Sequence, residues 1–293
     1  MNVGTGLSVV VASWSGETAL RRCLESLLPQ INEAQVIVAF RGESPPGFAK
    51  DQRFSNMRFV TAPSDASVFQ LRSLGLREAR GALVALIEDH SAVSQEWLQA
   101  LNRARAAGSL ICGGPIENDP DSSGYDWALY FAEYGRFMPP LDEGETRILS
   151  GANISYDRET LWSCYTTWEA SFYETDVNAA LIDAGKQARM VPEALVTSRL
   201  RMRFLEATRH LFEGGVHFGN FRAMQSTLFA RFLWIIASPV IPVLTLFRIV
   251  RVTIERQPRR FVKLIQASLY LIVLVCAWSL GETIGYLKRR EGA

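Results

Sequence analysis

Hydrophobic positions follow two regimes along the chain. In the N-terminal part, short apolar and β-branched runs at residues 7–11 (LSVVV), 36–40 (VIVAF), 57–60 (MRFV) and 82–87 (ALVALI) lack the polar alternation of a half-exposed strand. Runs of this length and composition predict strands buried on both faces. Between them, residues 17–28, 67–79 and 95–106 space their apolar positions as helices do. Short buried strands alternating with helices predict an α/β class, a doubly wound sheet with right-handed crossovers. Ligands of such sheets bind beyond the carboxyl ends of the strands. That singles out the polar residues just after each run: Ser13 and Ser15, Arg41 and Glu43, and above all Glu88, Asp89 and His90.

Past residue 110 the rhythm changes. An aromatic-rich stretch at 125–137, a Pro139-Pro140 break and a polar loop precede LSGANISYDRETLW, and YETDVNAALIDAG then reads as a helix closed by Gly185 at its C-cap. Residues 201–222 predict an amphipathic helix leading into an apolar tail. There, 16 uncharged residues lie between Arg231 and Arg248, and 18 between Lys263 and Glu282. A helical span needs about 20 apolar residues, and flanking Arg and Lys can snorkel to lengthen a short one. The second segment is the better candidate. The first carries Pro239 and Pro242, which kink or break a helix, so it either spans with a kink or dips in and returns. The boundaries expected are a folded domain over 1–200 with halves 1–115 and 116–200, a connecting helix over 201–227, and a membrane region over 228–290. Its hydrophobic segments are expected at about 229–250 and 264–284.

Composition sharpens this picture. With 48% apolar and 21% charged residues the 293-residue chain is neither disordered nor fibrous. A net charge of +1 conceals an asymmetry: ten Lys/Arg and three Asp/Glu lie from Leu228 onward, against 21 and 27 before it. An acidic body with a basic, apolar tail argues against nucleic acid as a partner and for membrane lipids. The four cysteines, Cys23, Cys112, Cys164 and Cys276, form no CxxC pair, which speaks against a zinc site or a disulfide framework. The opening MNVGTGLSVVVASW lacks a basic n-region and is not expected to act as a signal peptide. The N-terminal part is therefore expected on the cytoplasmic side. If both tail segments span, the linker RVTIERQPRRFVK, with five basic residues, falls outside, against the positive-inside rule. If only the second spans, Lys288, Arg289 and Arg290 fall outside instead.

Four sets of residues could carry chemistry. ALVALIEDHS ends an apolar strand in two carboxylates and an imidazole, which suit Mg²⁺ or Mn²⁺ bridging protein to a diphosphate, or hydrogen bonds to ribose hydroxyls. The plain alternative is a loop in which Asp89 or Ser91 caps the next helix. Glu174 and Asp176 open a helix, where the macrodipole favours carboxylates; there they are either helix-end charge or a general base with its neighbour. His210 and His217 share a helix face and suit a surface role better than a metal. Arg199, Arg201, Arg203, Arg209 and Arg222 suit phosphate or interfacial charge.

Taken together, these segments resemble family 2 glycosyltransferases. LSVVVASWSGETALRRCLESLLPQ is similar to the family's opening strand–turn–helix, and LRSLGLREARGALVALIEDHS to the A-R-N-x-G stretch running into its DxD-type motif. LSGANISYDRETL resembles the G-x-N segment of the acceptor subdomain, and YETDVNAALIDAG the E-D-x-D-L…G helix. The tail ending GETIGYL looks like that of membrane-attached bacterial members. The resemblance implies a GT-A fold, a Rossmann-like doubly wound mixed sheet with C-terminal membrane helices. It implies a nucleotide-sugar-binding half (1–115), an acceptor half (116–200), a divalent cation (Mg²⁺ or Mn²⁺) and inverting transfer of a hexosyl group. By position, Ser13, Ser15, Phe40, Arg72, Glu88 and Asp89 would lie at the nucleotide sugar, Asp89 and His90 at the metal, Gly151, Ala152 and Asn153 at the acceptor. Glu174 would be the catalytic base with Asp176 beside it. Phe40 and Arg41 stand where an acidic D-x-G-S start is usual, so Phe40 either stacks on a base or fills core. No QxxRW motif occurs, which disfavours processive synthesis. The expected function is transfer to a lipid-linked or cell-surface glycan precursor in polysaccharide biosynthesis. The expected place is the bacterial inner membrane, with the catalytic domain facing the cytoplasm and a second copy of the chain left open as a partner. The competing expectation is a degenerate, non-catalytic member serving as a binding or scaffold subunit in a membrane complex.

Overall fold

The four apolar runs form four neighbouring parallel strands. The computed structural model describes residues 4–31 and 34–288. In chain order the strands are β1 (Gly4–Ser13), β2 (Gln35–Arg41), β3 (Arg58–Ala62), β4 (Gly81–Glu88), β5 (Ser91–Val93), β6 (Ile111–Gly113), β7 (Ile116–Asn118), β8 (Gly144–Thr146), β9 (Asn153–Asp157), β10 (Ala188–Met190) and β11 (Val196–Ser198). The helices are α1 (Glu17–Leu27), α2 (Val68–Arg77), α3 (Trp97–Ala106), α4 (Gly124–Glu133), α5 (Arg158–Trp162), α6 (Tyr165–Trp168), α7 (Glu174–Asp183), α8 (Phe204–Met224), α9 (Leu228–Ala237), α10 (Ile241–Arg256) and α11 (Phe261–Leu287).

One sheet runs β3-β2-β1-β4-β9-β6-β10-β8, and a small one runs β5-β11-β7. Strands β1 to β4 are parallel, β9 is antiparallel to both β4 and β6, and β8 is antiparallel to β10, so the sheet is mixed. Val9, Val10 and Val11 on β1 are fully buried, as two-sided coverage requires. Each such side chain contributes roughly 1.5–3 kcal/mol. Packing of α2 on this sheet depends on Gly75, where a Cβ would stand 2.5 Å from Val10 Cγ1. Ser67 caps α2 in a capping box with Gln70. The expected stop of α7 is present: Gly185 takes φ +79°, and the Lys186 and Gly185 amides bond back to Leu181 and Ile182, a Schellman ending.

Two compact units result. One comprises the chain up to Asp119 with Pro139–Arg199; the other comprises Pro120–Met138 and the chain from Leu200 onward. The first holds both sheets, and within it Asp119 pairs with Arg22 at 3.2 Å and Arg199 at 2.6 Å, so Arg199 is committed to a carboxylate. In the second unit, His210 pairs with Glu133 at 3.0 Å, and Arg256 donates to the carbonyls of Arg136 and Met138. Two stretches of this unit, Leu228–Arg256 and Pro258–Leu287, are long and apolar enough to cross a membrane.

Candidate active site

The carboxyl ends of β1 and β4 lie side by side, with Ala12 opposite Glu88. This register sets two neighbouring carboxylates to different tasks. Asp89, fully buried, turns back to the β1–α1 turn: its Oδ2 accepts from Ser13 Oγ at 2.9 Å, Trp14 N at 2.8 Å and Ser15 N at 2.7 Å. Burial raises its pKa against the charge of His90 and the hydrogen bonds from Ser15 and Ser13. Strand β5 begins at Ser91, so neither Asp89 nor Ser91 caps a helix there; the Asp89 carboxylate ties down a turn some 75 residues earlier. A variant that stays folded on losing Asp89 is accordingly not expected. Asp89→Ala would strand two backbone N–H groups and a hydroxyl, at about 1–3 kcal/mol for each group left buried without a partner, read as a fall in the unfolding midpoint of the solubilised protein.

Glu88 faces the other way, and Arg72 is its partner. Arg72 sits on α2, 5% exposed, and its guanidinium donates through Nη2 to Glu88 Oε1 and through Nη1 to Glu174 Oε2 at 2.8 Å. Burial pushes the Glu88 carboxyl up, but the charges of Arg72 and His90 and the hydrogen bonds from Arg72 and Trp14 outweigh it and hold the group below its ordinary value. Glu174 opens α7; at 25% side-chain exposure it is the member of this trio that reaches solvent. Asp176 lies in the same first turn, its amide bonded to Tyr173 O. One aromatic contact brings α2 to the start of α7, where Phe69 stacks on Tyr173 at 3.9 Å; within α2 the Arg72 guanidinium lies over the Phe69 ring at 5.3 Å.

The loop before β9 closes the trio from one side. A Cβ on Gly151 would fall 2.5 Å from Arg72 Nη1 and 2.9 Å from Glu174 Oε2, so only glycine fits without displacing the ion pair. Ala152 is 1% exposed. Asn153, also 1% exposed, spends its amide internally, donating to Pro115 O and Ala194 O and accepting from Trp97 Nε1. It fastens β9 to the loops at Pro115 and Ala194 and to the start of α3. Phe40 likewise settles one of its two alternatives: it is 6% exposed and edge-on to Phe59 at 6.2 Å, in the core.

Of the expected residues, the fold brings Arg72, Glu88, Glu174 and Gly151 together, and joins Ser13, Ser15 and Asp89 in the adjoining turn. Trp14 was not foreseen. Its Nε1 donates to Glu88 Oε2 at 3.2 Å and its ring meets His90 edge-on at 5.8 Å, so it links the two carboxylates. The signal was available, as the lone aromatic between the two serines of ASWSG.

Among the described residues no group of three or more His, Cys, Asp or Glu is arranged to hold a metal ion. Asp89 Oδ1, however, is buried with no hydrogen-bond partner and stands 3.9 Å from His90 Nδ1. One carboxylate oxygen and one imidazole nitrogen fit a cation carried in by a diphosphate, since Mg²⁺ commonly binds through one or two protein ligands plus phosphate oxygens. They do not make a resident three-ligand site.

Comparison with known proteins agrees with this architecture. Over 92% of its length the chain superposes on 85% of the mannosyltransferase PcManGT from Pyrobaculum calidifontis, solved in complex with GDP-Man and Mn²⁺, with a TM-score of 0.53 and 14% identity. Over 91% of its length it superposes on 70% of S. aureus TarS 1–349, with a TM-score of 0.51 and 11% identity. At these identities the likeness is one of fold. No curated protein matches. The family described as glycosyl transferase family 2 matches residues 8–164, and the chain belongs to that family.

Proposed function

We propose that this protein is an inverting glycosyltransferase of the membrane, moving a hexosyl group from a nucleotide-diphosphate sugar to a lipid-linked or cell-surface glycan acceptor. One observation carries the site: Arg72, Glu88 and Glu174, from three separate elements, meet in one ion-paired cluster against Gly151. Glu174, the most exposed of the three, takes the proton from the acceptor hydroxyl as it attacks the anomeric carbon. Arg72 orients that carboxylate and offers positive charge where the leaving diphosphate develops negative charge. Glu88 fixes Arg72 in turn, and Trp14 fixes Glu88. The turn Ser13–Ser15, held by Asp89, lines the nucleotide side, and Asp176 sits beside the base. A divalent cation, Mg²⁺ or Mn²⁺, bound with the diphosphate at Asp89 and His90, would neutralise the leaving group. The apolar, basic tail supports a seat at a membrane, which we propose to be the bacterial inner membrane with the catalytic unit on the cytoplasmic side.

A non-catalytic binding subunit is the second function that fits, favoured by one observation: Glu88 and Asp89 are both committed to internal partners. Transfer separates the two. Incubated with labelled UDP-, GDP-, dTDP- and CDP-sugars and a membrane lipid extract, the protein is expected to move label from one donor into lipid- or glycan-bound product. Absence of product with every donor, from folded protein, would favour the binding subunit.

A further inference from the structure

Residues 200–288 fix how the tail can meet a bilayer. Helices α8 and α11 run side by side in the same direction, backbone against backbone. A Cβ at Gly215 would fall 2.2 Å from Trp278 O, and one at Gly219 would fall 2.2 Å from Glu282 O. From the other helix, Gly281 and Gly285 would place a Cβ 2.1 Å from Phe212 O and 2.4 Å from Val216 O. No side chain separates the two helices at these four points, so α8 goes wherever the C-terminal half of α11 goes. Arg222 of α8 strengthens the pairing by donating to the buried Glu282 at 3.1 Å.

Helix α8 is no partner for a membrane span. Its Arg209–Glu213 ion pair is 80% and 59% exposed. By the glycine register this pair stands level with the turn of α11 around Cys276, inside the uncharged run 264–281. If α11 crossed a bilayer, α8 would carry exposed charge into hydrocarbon, where it is strongly disfavoured. The apolar surface has the opposite character: it runs in stripes. On α10, Val243, Phe247, Val250 and Ile254 are exposed, and on α11 Val262, Ile265, Leu269 and Leu280. Their spacing of three and four, with one longer step to Leu280, describes one face of each helix. A helix with one apolar face exposed, whose other faces are charged, as on α10, or packed against protein, as α11 is against α8, can lie in the interface plane.

We infer that neither apolar stretch crosses the membrane: α9, α10 and α11 lie in one leaflet of an anionic bilayer, stripes towards the acyl chains. Basic residues of the tail then stay together at the headgroups. Arg251, Arg256, Arg259, Arg260 and Lys263 lie on the same side as Lys288, which removes the conflict with the positive-inside rule that any crossing creates. The inference rests on the membrane association proposed above and adds its geometry.

Single cysteines placed in the full-length protein test it. In a Cys276→Ala background, Glu17→Cys, Arg259→Cys and Lys288→Cys are each exposed positions. Cys23 and Cys112 are buried, and the partly exposed Cys164 is replaced by Ala as well, so no native thiol competes for the label. Sealed vesicles of both orientations are treated with a membrane-impermeant maleimide before and after detergent. The expected result is that all three positions label from the same face. Labelling of position 259 or 288 from the face opposite to position 17 would overturn the in-plane arrangement while leaving membrane association intact. Protein found wholly in the soluble fraction after cell disruption at low ionic strength would overturn membrane association itself.

Discussion

Glu174→Gln is expected to lower the turnover number by about 10²–10⁴-fold, the usual span for loss of a general base, with the KM for the donor sugar little changed. The amide keeps an oxygen that can accept from Arg72 Nη1, which now bonds Glu174 Oε2 at 2.8 Å, so the fold should survive. What is lost is the capacity to take a proton from the acceptor hydroxyl. Glu174→Asp pulls the carboxylate back by one methylene, away from both Arg72 and acceptor, and should retain a measurable fraction of turnover. Rescue of turnover by Asp but not by Gln, with the donor KM little changed in both, distinguishes the base from a merely structural partner.

Arg72→Met is expected to be strongly destabilising. Arg72 and Glu88 are 6% and 3% exposed at their side chains. Removing one partner of a buried pair leaves the other charge without compensation, at a cost of about 3–5 kcal/mol. The double variant Arg72→Met/Glu88→Leu removes both charges and should recover most of that loss, while transfer stays abolished. Such non-additivity is the mark of direct coupling. Sign and pH follow from the lowered Glu88 value. A depressed carboxyl stabilises the fold above its unfolded-state pKa, and that contribution is lost as pH falls through the folded-state value. The wild type should therefore lose stability on acidification in a way that the double variant does not, measured as unfolding midpoints across acidic pH.

Much of the fold was legible because its signals are local. Runs such as VVV at 9–11 and ALVALI at 82–87 can bury only as two-sided strands, and S-x-x-Q at 67–70 and Gly185 mark helix ends by their own chemistry. The three-residue strands β5, β7 and β11 gave no such signal, since three residues carry no period. Site residues followed the same division. Arg72, Glu88 and Glu174 were nameable one by one, but their meeting depends on Phe69 stacking on Tyr173, a contact across about a hundred residues. The hold of Asp89 on the β1–α1 turn stayed hidden for the same reason: nothing near it in sequence announces that its partners are Ser13, Trp14 and Ser15. Asn153 looked like an acceptor contact because the motif offers a polar side chain, and only the packing shows its amide already spent on Pro115, Ala194 and Trp97.

The central claim, that this cluster receives a nucleotide-diphosphate sugar, is tested most directly by the thermal stability of the solubilised protein. The panel is UDP-, GDP-, dTDP- and CDP-sugars, each with Mn²⁺, Mg²⁺ or EDTA. A ligand at a hundredfold excess over its Kd stabilises the native state by about 2.7 kcal/mol. The expected result is a shift with one nucleotide, strengthened by the cation, and little shift with the cation alone, since among the described residues no group of three or more His, Cys, Asp or Glu is arranged to hold a metal ion. No shift with any nucleotide sugar, in protein shown to be folded, would contradict the account.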